Sequence, residues 1–65
     1  MIFYLTFGQR HPLRDNYIEV HAPNEPTARR TVLDVFGAKW AFLYSADEFD
    51  PDAFPGGKVG EVLEA

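Results

Sequence analysis

The sequence predicts a small α+β domain in which an antiparallel hairpin is followed by one helix and a third strand. Three observations carry this prediction. Two short runs rich in aromatic and β-branched residues, 2–7 and 17–22, flank a turn-rich stretch. Residues 24–37 have the signals of a capped helix, and a third aromatic run follows at 40–45. The expected order of elements is therefore ββαβ.

The hairpin is predicted from local patterns alone. The first run, IFYLTF, has the composition of a strand, and the second, YIEVHA, alternates apolar and polar residues as a half-buried strand does. Between them, Pro12 and the pair Asp15–Asn16 are typical of a loop. Two strands joined by a loop of about nine residues predict an antiparallel hairpin.

The helix has recognisable ends. Asn24 is suited to cap the first turn, Pro26 is tolerated there, and Gly37 is suited to the left-handed position after the last turn. Steps of 100° per residue place an apolar arc on one side, with Leu33 at its edge. The predicted arc consists of Ala28, Val32, Val35 and Phe36.

The third strand, WAFLYS at 40–45, follows a right-handed crossover and is expected beside the first strand. This gives a three-stranded sheet of order 2-1-3 with the helix on one face. Residues 1–46 form the predicted ββαβ core. Residues 47–65 are expected to be an irregular, acidic, Pro/Gly-rich C-terminal segment of the same single domain. It holds a helical turn within 47–54 and a short strand or a loose end at 59–63.

Strand alternation divides the side chains between two faces. The apolar face is expected to meet the helix and comprises Phe3, Leu5, Phe7, Ile18, Val20, Ala41 and Leu43. The other face is expected to hold Tyr4, Thr6, Tyr17, Glu19, His21, Trp40, Phe42 and Tyr44. Five of these are aromatic, and an apolar patch of that size is rarely left to water in a monomer.

Three occupants of the aromatic face compete. The C-terminal segment could fold back so that Phe49 and Phe54 cover it. A protein partner or a second copy, giving a homodimer, could cover it, since Tyr and Trp suit interfaces. Unpaired nucleic-acid bases are the weakest candidate, because base stacking needs surrounding cations and Glu19 lies among the aromatics.

The loop sequence FGQRHPLRDNY at 7–17 is interpreted first as a connection and second as a recognition loop carrying Arg10 and Arg14. A catalytic reading would make His11 a general base oriented by Asp15. Cysteine is absent, and Ser45 lacks the flanking glycines of a nucleophile elbow. We therefore expect no enzyme, no cofactor and no metal site.

Charge is distributed unevenly along the chain. Residues 1–45 carry five cationic and four acidic side chains, whereas residues 46–65 carry one lysine and six carboxylates. The acidic end is either a solvated tail or a docking segment that mimics nucleic-acid phosphates. The acidic candidates for that second role are Asp47, Glu48, Asp50 and Asp52.

We expect no membrane span, because no apolar run reaches about 18 residues, and no secretory signal, because the first apolar run is too short and no basic region precedes it. We expect a cytoplasmic protein. Met1 begins directly in a strand-like run, from which a complete small gene product is expected.

Four stretches, TFGQRH, YIEVHA, NEPTARR and FGAKWAFLY, together resemble a set of short, mostly uncharacterised proteins encoded by bacteriophages and prophages. The resemblance covers residues 5–49, and nothing is recognised beyond them. It implies expression in the cytoplasm of an infected bacterial cell and action by binding a host or phage protein. The predicted function is non-enzymatic protein binding; the alternative is an anti-defence mimic of nucleic acid. The predicted protein-binding residues are Tyr4, Tyr17, Trp40, Phe42, Tyr44, Arg10 and Arg14.

Overall fold

A computed structural model describes residues 1–63, which form a four-stranded mixed sheet with one helix against it. The elements are β1 (Ile2–Thr6), β2 (Asn16–His21), α1 (Glu25–Phe36), β3 (Phe42–Ser45), a 3₁₀ turn (Pro51–Ala53) and β4 (Gly57–Leu63). The strands lie in the order β3-β1-β2-β4. Both β2 and β3 run antiparallel to β1, and β4 runs parallel to β2. The α+β class and the adjacency of the first three strands are confirmed.

The expectation of a three-stranded sheet is wrong, because β4 adds a fourth strand next to β2. Its sequence, GKVGEVL, contains two glycines and a β-bulge, both of which weaken a periodic strand pattern. Lys58 pairs with Tyr17 and Gly60 with Ile18, so Val59 is the extra residue. The C-terminal segment is therefore partly regular; its residues 64 and 65 lie outside the described residues.

Helix α1 begins and ends where the sequence predicts. The Asn24 side chain accepts a hydrogen bond from the Thr27 amide at 2.9 Å, and the amide of Gly37, at φ 63°, donates to the Leu33 carbonyl. The inclusion of Val35 in the buried arc is wrong, because its side chain is 58% exposed. Val35 lies about 60° to one side of Val32, outside the stripe of residues spaced by four that the sheet covers.

The core lies between α1 and one face of the sheet, as expected. Its buried members are Phe3, Leu5, Ile18, Val20, Ala22, Ala28 and Val32. Partly buried side chains around them are Phe7, Phe36, Trp40, Leu43 and Val62. Ala41 was expected in this set but is exposed, because β3 begins only at Phe42.

Trp40 was assigned to the aromatic face, and this assignment is wrong. Its side chain packs against the core on the helix side of the sheet. The indole N–H donates to the Gly37 carbonyl at 2.9 Å, and the Arg29 guanidinium carbon lies 5.8 Å from the ring centroid. Trp40 precedes β3, so strand alternation does not govern the direction of its side chain.

Within residues 1–63, no helix combines the length and the apolar composition needed to cross a membrane.

Candidate functional site

The candidate site lies on the sheet face opposite α1, here called the aromatic face and defined by Tyr4, Tyr17, Phe42 and Tyr44. The strand registers bring these residues together. Tyr4 of β1 pairs with Tyr44 of β3, and Thr6 of β1 lies between Phe42 and Tyr17. Paired residues of neighbouring strands point to the same side of a sheet, so one face collects all four rings.

The segment between β3 and β4 folds back onto the aromatic face. The Phe49 ring stacks on Tyr4 with centroids 4.4 Å apart, and it approaches the Tyr17 ring at 4.9 Å and the Tyr44 ring at 5.9 Å. Phe54 stacks on Phe49 at 5.2 Å. Of the three occupants considered for this face, the chain's own C-terminal segment is the one that the structure contains.

The cover is incomplete. Each ring in the cluster keeps part of its surface exposed, which applies to Tyr4, Tyr17, Tyr44, Phe49 and Phe54. Phe42 is 58% exposed, and its centroid lies 6.0 Å from that of Tyr44. A cleft of about 200 Å³ opens at the junction, lined by Tyr4, Tyr17, Ala46, Phe49 and Pro51. The aromatic cluster is therefore a surface layer and not a second buried core.

Local hydrogen bonds hold Phe49 in place at the start of the covering segment. The backbone amides of Glu48 and Phe49 both donate to the Ser45 carbonyl at 3.1 Å. The Ser45 hydroxyl donates to the Glu48 carboxylate at 2.8 Å. Further along, the Asp50 carboxylate accepts from the Asp52 amide at 3.0 Å and caps the 3₁₀ turn.

A second anchor lies where the covering segment enters β4. The Gly56 amide donates to the Asp15 carbonyl at 2.8 Å, and the Asn16 side-chain amide donates to the Gly57 carbonyl at 3.2 Å. A methyl group at Gly56 would lie 2.5 Å from the Asn16 side-chain nitrogen. Only glycine therefore fits this closely packed junction between the hairpin loop and the covering segment.

Charged side chains form a network on the β2–β4 side of the same face. Glu19 lies 2.5 Å from the Nε2 atom of His21 and 3.5 Å from the ammonium of Lys58. The Lys58 ammonium also donates to Glu61 at 2.5 Å. This hydrogen bond is the main reason that the pKa of Lys58 is raised and that of Glu61 is lowered.

His11 supports the hairpin loop. Its Nδ1 atom accepts a hydrogen bond from the Leu13 amide at 3.0 Å, and its ring stacks on Phe7 at 4.7 Å. No hydrogen bond among residues 1–63 joins His11 to Asp15, the contact that the catalytic interpretation required. The position of His11 is that of a structural residue within the loop.

The structure thus groups four of the seven predicted protein-binding residues. Tyr4, Tyr17, Phe42 and Tyr44 share the aromatic face, whereas Trp40 packs on the helix side. The other two are exposed arginines of the hairpin loop, Arg10 and Arg14. The acidic candidates, all exposed, flank Phe49 in sequence and are Asp47, Glu48, Asp50 and Asp52.

Two lining residues of the cleft, Ala46 and Pro51, were missed by sequence reasoning. Neither carries a local signal of a site, because each reaches the cleft only through the fold-back of its segment. In the part of the chain that the structure describes, no three His, Asp or Glu side chains are grouped so that they could hold a metal ion.

Comparisons of this chain with models of known protein families, with curated proteins and with solved structures give no match. The function is therefore argued from the aromatic face and its surroundings.

Proposed function

We propose that this protein is a non-catalytic binding module that recognises a protein partner through the β3 edge of its aromatic face. The observation that carries the proposal is the exposure of Phe42, 58% of whose surface faces solvent beside a cluster of partly exposed rings. Aromatic side chains are enriched in the cores of protein interfaces, where they supply large contact areas at small entropic cost.

The hairpin loop supports the same location for the interface. A methyl group added at Gly8 would lie 3.2 Å from the Ala41 Cβ atom, so the loop starts beside the beginning of β3. Arg10 and Arg14 are exposed on this loop. Arginine is the charged residue most enriched at interfaces, and in the proposed interface the two side chains would add a polar rim to the aromatic centre.

The partner that we propose is a bacterial host protein or a phage protein, encountered in the cytoplasm of an infected cell. This part of the proposal comes from the resemblance of residues 5–49 to small phage and prophage proteins. The resemblance supports the source of the partner by analogy only, whereas the exposed ring of Phe42 is a physical reason to expect an interface.

The deciding experiment is capture of partners from bacterial lysate by immobilised protein. Phe42→Ala combined with Tyr44→Ala should reduce capture at least tenfold. Val35→Ala is the matched control, because Val35 has the same exposed fraction as Phe42 and lies on α1. Circular dichroism and urea unfolding verify that each variant is folded. Equal capture by the wild type and the double variant would remove the aromatic face as the binding site.

Self-association through the same surface is part of the proposal. The fold-back of Phe49 and Phe54 leaves less of the face for a second copy than an uncovered sheet would. Phe42 remains as the residue on which a homodimer across a two-fold axis would depend. Light scattering should then give two chains for the wild type and one chain for Phe42→Glu, which buries an unpaired charge. A single chain for the wild type at high concentration contradicts the homodimer.

A second candidate function is mimicry of nucleic acid by the covering segment. The supporting observation is that its four carboxylates, Asp47, Glu48, Asp50 and Asp52, are all exposed. The mimic should compete with DNA for a DNA-binding partner, and the competition should weaken steeply with salt. Replacing the four residues by Asn or Gln should abolish the competition, and competition that survives this change excludes mimicry.

A further inference from the structure

We infer that the cleft on the aromatic face binds an arginine side chain presented by the partner protein. This inference rests on the proposed function and adds to it the chemistry of the group that is recognised. The cleft is lined by three aromatic rings together with Ala46 and Pro51. Its shape, its rings and the charge around it each favour a planar cation.

The rings form walls in two orientations. Tyr4 and Phe49 are almost parallel, with 17° between their planes, and they stack directly on each other at 4.4 Å, so a ligand would lie against this pair and not between its rings. Tyr17 stands across both, at 81° to Tyr4 and 64° to Phe49. Aromatic faces carry partial negative charge, and a guanidinium is the cation that pairs with them most often in proteins. The tyrosine hydroxyl groups can also accept hydrogen bonds from its N–H groups.

The charge surrounding the cleft is mainly negative, because Lys58, the strand partner of Tyr17, is ion-paired with both Glu19 and Glu61. Between Lys39 and Lys58 the chain carries four carboxylates and no lysine, arginine or histidine. All four carboxylates are exposed, and they belong to the segment that supplies Phe49 and Pro51 to the cleft. A cation that approaches this cleft is attracted, whereas an anionic group is repelled.

The size of the cleft selects a single side chain. Its volume of about 200 Å³ is below the roughly 300–1,000 Å³ of pockets that bind drug-sized molecules. One side chain that fills a small pocket and is surrounded by weaker contacts is the usual form of a hot spot in a protein interface.

The test is an NMR titration of the wild-type protein with N-acetyl-arginine amide. N-acetyl-citrulline amide is the matched ligand, because it has nearly the same shape and no charge. Arginine should cause saturable shifts of the Tyr4, Tyr17 and Phe49 ring signals, with an affinity about three- to tenfold higher than that of citrulline. High salt should reduce this difference.

Two variants locate the effect. Phe49→Leu keeps an apolar side chain but removes the ring, and it should weaken arginine binding at least threefold. Asp47→Asn combined with Asp50→Asn removes two charges, keeps a capping oxygen at position 50, and should narrow the difference between arginine and citrulline. Backbone amide spectra report whether each variant keeps the wild-type fold.

The outcomes separate this inference from the proposed function. Equal affinity for the two ligands, or arginine binding unchanged in a folded Phe49→Leu, overturns the arginine cleft. If partner capture still depends on Phe42 in that case, the binding module stands without it. The opposite result is that arginine binds but partner capture does not change when Phe42 is replaced. That result supports the arginine cleft and overturns the proposed interface at the β3 edge.

Discussion

The rings of Tyr4 and Phe49 lie stacked with centroids 4.4 Å apart and planes inclined by 17°. Tyr4 belongs to the central strand β1, whereas Phe49 belongs to the acidic segment that follows β3. This contact anchors the covering segment on the first strand, beside the strand pairing of β2 with β4. Together with the contacts of Phe49 to Tyr17 and Tyr44, it leaves the aromatic face partly covered and with a cleft.

Phe49→Ala should lower the free energy of unfolding by about 1–3 kcal/mol, because it removes a ring that contacts Tyr4, Tyr17, Tyr44 and Phe54. Urea unfolding followed by tryptophan fluorescence measures the change. Phe42→Ala is the control, and its effect should stay near 0.5 kcal/mol because most of that ring is already exposed. Equal losses in the two variants would mean that Phe49 does not anchor the covering segment.

Gly56→Ala should destabilise the protein by about 1–3 kcal/mol, because the added methyl group would lie 2.5 Å from the Asn16 side chain and 2.9 Å from the Asp15 carbonyl oxygen. Gly60→Ala is the matched control in β4, since nothing lies within 4 Å of a methyl group there. Gly60→Ala should leave the stability unchanged or raise it by up to about 1 kcal/mol, because alanine lowers the conformational entropy of the unfolded chain. Thermal unfolding of both variants distinguishes them, and a stable Gly56→Ala contradicts the described junction.

The ion pair between Lys58 and Glu61 should make the stability of the folded protein depend on pH. Hydrogen bonding to Lys58 lowers the pKa of Glu61. Ionised Glu61 therefore stabilises the folded state fully above the ordinary pKa of a carboxyl group. This stabilisation is lost as the pH falls through the lower pKa that Glu61 has in the folded state. The pKa of Lys58 is raised, so its contribution is present below the ordinary lysine pKa and disappears as the pH rises through the higher folded-state value.

NMR titration of the Glu61 carboxyl carbon tests this pair. Lys58→Gln should return the pKa of Glu61 towards its ordinary value, whereas Lys39→Gln, which removes another exposed lysine, should not. Added salt should raise the Glu61 pKa in the wild type by screening the pair. A Glu61 pKa that is the same with and without Lys58 refutes the interaction.

His11→Ala should destabilise the protein by about 1–2 kcal/mol, because the Leu13 amide loses its acceptor and Phe7 loses a stacked ring. His11→Asn should lose less, since an asparagine oxygen can accept from the amide two residues later. Nitrogen-15 shifts of the wild-type imidazole should show the proton of the neutral ring on Nε2. A neutral ring protonated on Nδ1 is incompatible with the described hydrogen bond.

The sequence by itself determined the elements whose signals are local. The hairpin follows from two alternating runs, and α1 follows from Asn24 and Gly37, whose capping roles depend only on neighbouring backbone groups. Period-two alternation also placed Tyr4, Tyr17, Phe42 and Tyr44 on one face. These four residues are the part of the candidate site that could be predicted without coordinates.

Tertiary structure alone decided the rest. The sequence left open a short strand or a loose end at 59–63, and pairing with β2 decides for the strand and extends it to Gly57–Leu63. Trp40 packs on the helix side because it lies in a connection, where no alternation fixes its direction. The sequence allowed either Phe49 and Phe54 or a partner to cover the aromatic face. Ring contacts between residues far apart in sequence are what place Phe49 and Phe54 there. Such contacts have no local period, so only the folded chain determines them.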